Sequence, residues 1–340
     1  MSRALVLTTI NAPGWVLQRV AEGAKARGVH FVVVGDTKTP EPYVLDGADY
    51  YGVERQHEVA GDVSRLIPVR HYARKNVGYL VAAEAGATVI QESDDDNIPH
   101  EDARGDAFWA DVPATHDVDI VATDGPWLNA YALFSDDGLW PRGYPLEWLG
   151  RQGEIVATPG QARGLILQGL ADENPDVDAV FRLTRSLPLN FKEHKAVMLA
   201  PGAWCPFNSQ NTIFQREAFP LLYLPAYCSF RMTDIWRSFV AQRCLWETGE
   251  GVVFHNATVY QERNEHNLLK DFEDEVPGYL HNDAIRLALD ACRLDGADLF
   301  RSVAVCYEAL VAGSFIPDDE TPVVRAWLAA MERVAGRTAT

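Results

Sequence analysis

Residues 4–36, ALVLTTINAPGWVLQRVAEGAKARGVHFVVVGD, decide the fold. The apolar, β-branched run at 4–10 stops at Asn11, Pro13 and Gly14, and residues 16–27 set Val16, Val20 and Ala24 on one helical face. A second apolar run, 29–34, ends at Gly35 and Asp36. Strand, helix and strand within about 35 residues make a βαβ unit, which demands parallel strands and a right-handed crossover. Further along, the pattern predicts an extended segment at 49–53, a helix at 72–84, and strands at 87–91 and 119–123. The first 125 residues therefore read as a doubly wound α/β sheet. From 125 to 179, Pro, Gly and Trp recur, which predicts long loops with a short helix near 161–171 and a strand at 178–183. A strand at 211–214, a helix from 217, a helix at 235–247 and extended pieces at 252–254 and 258–261 follow. Helices at 283–293, 297–312 and 322–335 complete the chain. The expected organisation is a sheet domain over 1–270 and a helical C-terminal extension over 271–340.

Of the 340 residues, 47% are hydrophobic, ample for a large core. A formal charge of −18 argues against nucleic acid and anionic membranes as main partners, while leaving room for a small anionic ligand in a local basic pocket. The five cysteines (205, 228, 244, 292 and 306) form no CxxC pair, so reduced thiols and a cytoplasmic location are expected. The N-terminus reads as a first strand rather than a signal peptide, and no run approaches the ~20 apolar residues of a membrane span.

The chemistry concentrates in GATVIQESDDDNIPH, residues 86–100, where Glu92, Asp94, Asp95 and Asp96 put four carboxylates in five positions. They follow a strand, at the sheet edge where open α/β folds bind ligands. In an extended backbone, Asp94 and Asp96 project to one side and Asp95 to the other. Two carboxylates on one side suit a hard divalent ion such as Mn²⁺ or Mg²⁺; a solvated acidic turn is the plain alternative. An EF-hand loop is excluded, because its sixth and twelfth positions counted from Asp94 hold Pro99 and Gly105. No GxGxxG follows the first strand, which weighs against a dinucleotide site. Arg74 and Lys75 open a helix near the ligand edge, placed either to hold a diphosphate or to be solvated. Trp127 and Arg142 lie in the irregular middle region, for stacking and anion binding or for core packing. Asn208, Gln210 and Asn211 form an amide cluster suited to hydroxyl-rich ligands or to turns. Asp234 precedes a strong helix, where an N-cap is the simple reading.

The stretch YARKNVGYLVAAEAGATVIQESDDDN resembles the core of GT-A glycosyltransferases. More closely, the blocks TTINAPGW, VVVGDTKTP, RKNVGYL, ESDDDNIP, WPRGYPL, DENPDVDAVFRLT, PFNSQNT, DIWRSFVAQRCLW and QERNEHN resemble the STELLO-type family, glycosyltransferase-like and formerly a domain of unknown function. The resemblance implies a GT-A-like, doubly wound, mostly parallel sheet. It places Thr8, Thr9 and Asn11 at the nucleotide and Asp36 near its base or ribose. It implies Arg74, Lys75, Asp95 and secondarily Arg263 at the donor, metal ligation by Asp94, Asp96 and His266, and Asp234 as general base of an inverting reaction. The implied activity is metal-dependent hexosyl or pentosyl transfer from a nucleotide-diphosphate sugar to a hydroxyl acceptor. A nucleotide-sugar mutase and a non-catalytic module that organises partner enzymes are the alternatives; a homo-oligomer is left open.

Overall fold

The structure, a computed structural model, describes residues 2–151, 153–262, 267–296 and 298–338. The opening unit is as expected: β1 (Arg3–Thr8), α1 (Trp15–Arg27) and β2 (His30–Val34), with β1 and β2 parallel and Ala4 opposite His30. β3 (Ala48–Tyr51) extends the sheet, and α2 (Val53–Leu66) follows it. α2 was not legible because Gln56 and Ser64 share its buried face with Ala60 and Val63, which blurs the apolar period. A 3₁₀ turn at Tyr72–Arg74 leads into α3 (Lys75–Glu84). Gly78 lets α3 press on the sheet: a Cβ there would stand 2.5 Å from Val6 and 2.8 Å from Val34.

β4 (Val89–Ser93), β5 (Asn97–Pro99), α4 (Ala103–Trp109), β6 (His116–Thr123) and α5 (Tyr131–Phe134) come next. The expected helix at 161–171 is instead the end of β7 (Ile155–Ala162) and β8 (Ile166–Asp172), separated by a turn at Gly164 with φ of 63°. β8 is buried on both faces, so it shows no strand alternation in its sequence. The expected strand at 178–183 is α6 (Ala179–Thr184), because Asp178 caps it by accepting from the Phe181 N–H at 2.7 Å. β9 (Val197–Leu199) and β10 (Asn211–Gln215) precede a 3₁₀ segment, Arg216–Leu222, that replaces the helix expected from 217 and contains Pro220. α7 (Thr233–Trp246) leads to β11 (Val253–Gln261), which joins the two extended pieces across an irregularity between His255 and Val259. α8 (Leu268–Asp290) starts well before the expected 283, capped by the Asn267 side chain; α9 (Leu299–Ala312) and α10 (Glu320–Thr338) follow.

The strands form one sheet in the order β3-β2-β1-β4-β10-β8-β11-β9-β6-β7, with β5 paired to β11. β3, β2, β1 and β4 are parallel; β10 runs against β4 and β8; β8 and β11 are again parallel. This is a doubly wound α/β sheet, parallel from β3 to β4 and mixed beyond, with a helical C-terminal part. The chain moves outward from β1 through β2 to β3, then returns to the other side of β1 as β4. A crevice opens at such a reversal, beyond the carboxyl ends of β1 and β4.

The C-terminal helices share the main core: Tyr307, Val323 and Trp327 are buried with Phe219, Leu222 and Tyr223. Glu320 seals that junction. Fully buried, its carboxylate accepts from the N–H groups of Ala226 and Tyr227, at 2.9 and 2.7 Å, and from the Tyr223 hydroxyl. No helix among the described residues is long and apolar enough to cross a membrane.

Candidate functional site

A cavity of about 630 Å³ occupies the crevice. It is lined by Thr8, Thr9 and Asn11 after β1, Asp36 after β2, Asp94, Asp95 and Asp96 after β4, and Arg142, Asn208, Gln210 and Asp234 from the second half of the chain. Residues far apart in sequence thus meet at one cavity.

The acidic stretch does not stay extended. It turns, with the Asn97 N–H donating to the Asp94 carbonyl at 3.3 Å, and all three aspartates line the cavity. Each carboxylate has its own partners, which is how four acids in five positions are accommodated. Glu92 lies beneath the site in a buried two-pronged pair with Arg237, at 2.8 and 3.0 Å, and also accepts from Tyr79. Asp94 Oδ1 accepts from the Tyr72 hydroxyl at 2.8 Å and from Lys75 Nζ at 3.3 Å. Burial raises the Asp94 pKa, and the Lys75 ammonium opposes that shift. Asp95 Oδ2 accepts from Thr9 Oγ1 at 2.5 Å and Asn11 Nδ2 at 3.0 Å, tying the β1 loop to the turn. Both Asp96 oxygens accept from Gln261 Nε2 at 3.1 Å.

The second acidic feature is a sandwich. Arg142 bonds Asp234 through both terminal nitrogens at 2.9 Å, and grips Asp176 through Nε and a terminal nitrogen, also at 2.9 Å. Asp234 also accepts from the Ser209 N–H and hydroxyl at 3.2 Å. Burial pushes its pKa up, but Arg142, by charge and hydrogen bonding, outweighs that and holds it well below the ordinary carboxylate range. The N-cap expected of Asp234 is not formed: it sits inside the first turn of α7 and makes no capping bond. Its carboxylate is spent on Arg142 and Ser209 instead.

Several expected site residues lie elsewhere or act differently. Trp127 is core: it is fully buried, packs on Tyr144, Trp204 and Phe239, and donates to Asp283 at 2.7 Å. Asn211 is outside the cavity lining and donates to the Leu170 carbonyl and to Thr258 Oγ1. Lys75 is fully buried beneath the turn, donating to Ser93 O, Ser209 O, Tyr72 and Asp94, so it positions Asp94 from below. Arg74 reaches the cavity wall, but its guanidinium bonds Gln56, Ser64 and the Ile67 carbonyl. It braces the end of α2. Arg74→Ala should therefore cost stability, on the order of 3 kcal/mol for several buried charge-assisted bonds, measured by urea denaturation. Nucleotide-sugar affinity of the folded protein should change less than threefold. A stable variant with lost affinity would restore Arg74 to the ligand. Arg263 and His266 lie outside the described residues.

The structure adds Arg70, His71, Tyr72, Asp176, Phe230, Arg231 and Gln261 to the lining. Three carried a sequence signal: Tyr72 stands three residues before Lys75, Asp176 lies in the DENPDVD block, and Gln261 opens the QERNEHN block.

Oxygen donors suit a hard cation, and Asp94 and Asp96 supply them in kind. Among the described residues no group of three or more His, Cys, Asp or Glu is gathered to hold a metal. The described donor set therefore fits such an ion but is incomplete by itself.

A doubly wound sheet, an acidic turn at its reversal point and a cleft of carboxylates and amides define an α/β chain with a polar ligand crevice. Part of it is similar to the STELLO-type family: residues 231–335 match the family of STELLO glycosyltransferases. The chain is 30% identical over 327 residues to the probable glycosyltransferase STELLO1 of Arabidopsis thaliana, and 29% identical to STELLO2 of the same plant. Each alignment covers 89% of this chain and 41% of the relative, so the chain spans about two fifths of the length of the curated relatives it matches. Among solved structures, M. tuberculosis glucosyl-3-phosphoglycerate synthase is 12% identical, with a TM-score of 0.41 over 83% of this chain and 80% of that one.

Proposed function

We propose that the chain is a metal-dependent glycosyltransferase that moves a hexosyl or pentosyl group from a nucleotide-diphosphate sugar to a hydroxyl acceptor. The observation that carries this reading is the cavity at the β1/β4 reversal, which unites Asp94, Asp95 and Asp96 with the β1 loop, Asp36 and the amides of Asn208 and Gln210. Asp94 and Asp96 would hold Mn²⁺ or Mg²⁺, with His266 as the further ligand the family resemblance implies. Such an ion neutralises charge on a departing nucleoside diphosphate. The protein's own groups prepare the place: Lys75 and Tyr72 fix Asp94, and Asp95 locks Thr9 and Asn11 where the nucleotide would lie. Asn208 and Gln210 offer amides for sugar hydroxyls.

Asp234 is the acceptor-side carboxylate and would take the acceptor's proton in an inverting reaction. The Arg142 pair keeps it ionised and weakens it as a base. That same pair favours, as a second reading, chemistry without a general base, such as isomerisation of a bound nucleotide sugar. A cytoplasmic setting is proposed alongside, in keeping with five unpaired thiols.

A thermal-shift screen of nucleotide sugars with and without Mn²⁺ tests the proposal. A true donor at a hundredfold excess over Kd should add about 2.7 kcal/mol of stability, and only with the metal. Stabilisation by none of them, or by some regardless of metal, overturns it.

A further inference from the structure

We propose that Arg70, rather than Arg74, is the arginine that meets the diphosphate of the donor; the assignment rests on the nucleotide-sugar reading above. Arg70 lines the cavity, is exposed, and stands beside the rim formed by Asp36, Thr37 and Lys38. Its hydrogen bond among the described residues is a long one, from Nε to Thr37 Oγ1 at 3.4 Å. The Asp36 oxygens accept from the N–H groups of Thr37 and His71.

The other arginines and the buried lysine at this cavity are engaged by the protein. Arg74 bonds Gln56, Ser64 and Ile67; Lys75 bonds Asp94 and two carbonyls; Arg142 lies between Asp176 and Asp234; Arg231 bonds Glu275 through Nε and a terminal nitrogen. A guanidinium presents a planar fork that matches two phosphate oxygens. Arg70 keeps that fork available to a ligand.

The backbone is the second, independent observation. Arg70 has φ of 60°, in the left-handed region that non-glycine residues seldom occupy. The chain on both sides of it is hydrogen-bonded: the Ile67 carbonyl accepts from Arg74, the His71 N–H donates to Asp36 Oδ2, and the His71 carbonyl accepts from the Arg74 N–H. Glycine would sit there without strain. Strained backbone maintained by its surroundings is common where a side chain serves a ligand.

Calorimetric titration decides the matter, using uridine and guanosine diphosphates and their nucleosides with Mn²⁺ on wild type, Arg70→Ala, Arg70→Lys, Arg70→Gly and Lys38→Ala. For the diphosphate that wild type binds, Arg70→Ala and Arg70→Gly should weaken binding about 10- to 100-fold. Nucleoside affinity should stay within twofold. Arg70→Lys should recover part of the loss, and Lys38→Ala should lose less than Arg70→Ala. Arg70→Gly should also melt at or above the wild-type temperature, because the strain is relieved. An unchanged diphosphate affinity in Arg70→Ala, or equal losses for diphosphate and nucleoside, overturns the assignment. Should wild type bind neither diphosphate, the donor reading fails and takes this inference with it.

Discussion

Asp94→Asn should abolish Mn²⁺-dependent nucleotide-sugar binding and also lower the stability of the unliganded protein. The sequence suggests the opposite sign for stability, since removing one of four crowded carboxylates ought to relieve repulsion. The structure reverses it. Asp94 is the counter-charge of Lys75, whose side chain is fully buried while that of Asp94 is 30% exposed. Asparagine leaves the ammonium with Ser93 O, Ser209 O and the Tyr72 hydroxyl, but with its nearest carboxylate gone. Stranding one member of a fully buried pair costs ~3–5 kcal/mol; the partial exposure of Asp94 brings the expectation to about 2 kcal/mol. Asp96→Asn should likewise lose metal-dependent binding. Urea denaturation of the unliganded proteins and titration with and without Mn²⁺ read the two effects separately. If the double variant keeps Mn²⁺-dependent affinity, the metal does not sit on these aspartates.

Asp234→Asn should reduce sugar transfer by roughly two to four orders of magnitude. An amide cannot take the acceptor's proton. It also cannot return both arms of the Arg142 fork, so a stability loss accompanies the lost activity. The pH dependence follows from the depressed Asp234 pKa. Its stabilising share is present above the unfolded carboxyl value, ~3.9, and is lost as pH falls through the lower folded value. Wild type should therefore lose stability in acid more steeply than Asp234→Asn, as denaturation at pH 3 and pH 7 would show. Between pH 5 and 8 Asp234 stays ionised, so it should add no limb to the rate profile there. Transfer at the wild-type rate in Asp234→Asn would remove this residue from the chemistry and favour isomerisation or retention.

The βαβ start and the acidic turn were legible because each is local: short apolar runs ended by Gly, Pro and Asp, and a charge density few folded contexts accept. Side-chain commitments were not. Arg74 and Arg70 are both arginines near the start of the same helix, and the motif pointed to the first. What separates them is the buried end of α2, an element whose own apolar signal is weak. Trp127 and Asn211 failed for a related reason. A tryptophan in an irregular stretch or an amide in a polar cluster gives no sign of its depth, and here both are enclosed by elements distant in sequence. The 161–171 stretch was misread because a buried strand loses its alternation.

The Glu320 clasp bears on how this chain can change over time. A single carboxylate from the last helix gathers the backbone of Ala226 and Tyr227, only a few residues before Phe230, Arg231 and Asp234 of the cavity wall. The terminal helices and the cavity-lining half of the chain are therefore tied to one another. Recombination that exchanged one without the other would leave buried amide groups with no acceptor. A substitution at Glu320, which lines no part of the cleft, would therefore be felt at its wall.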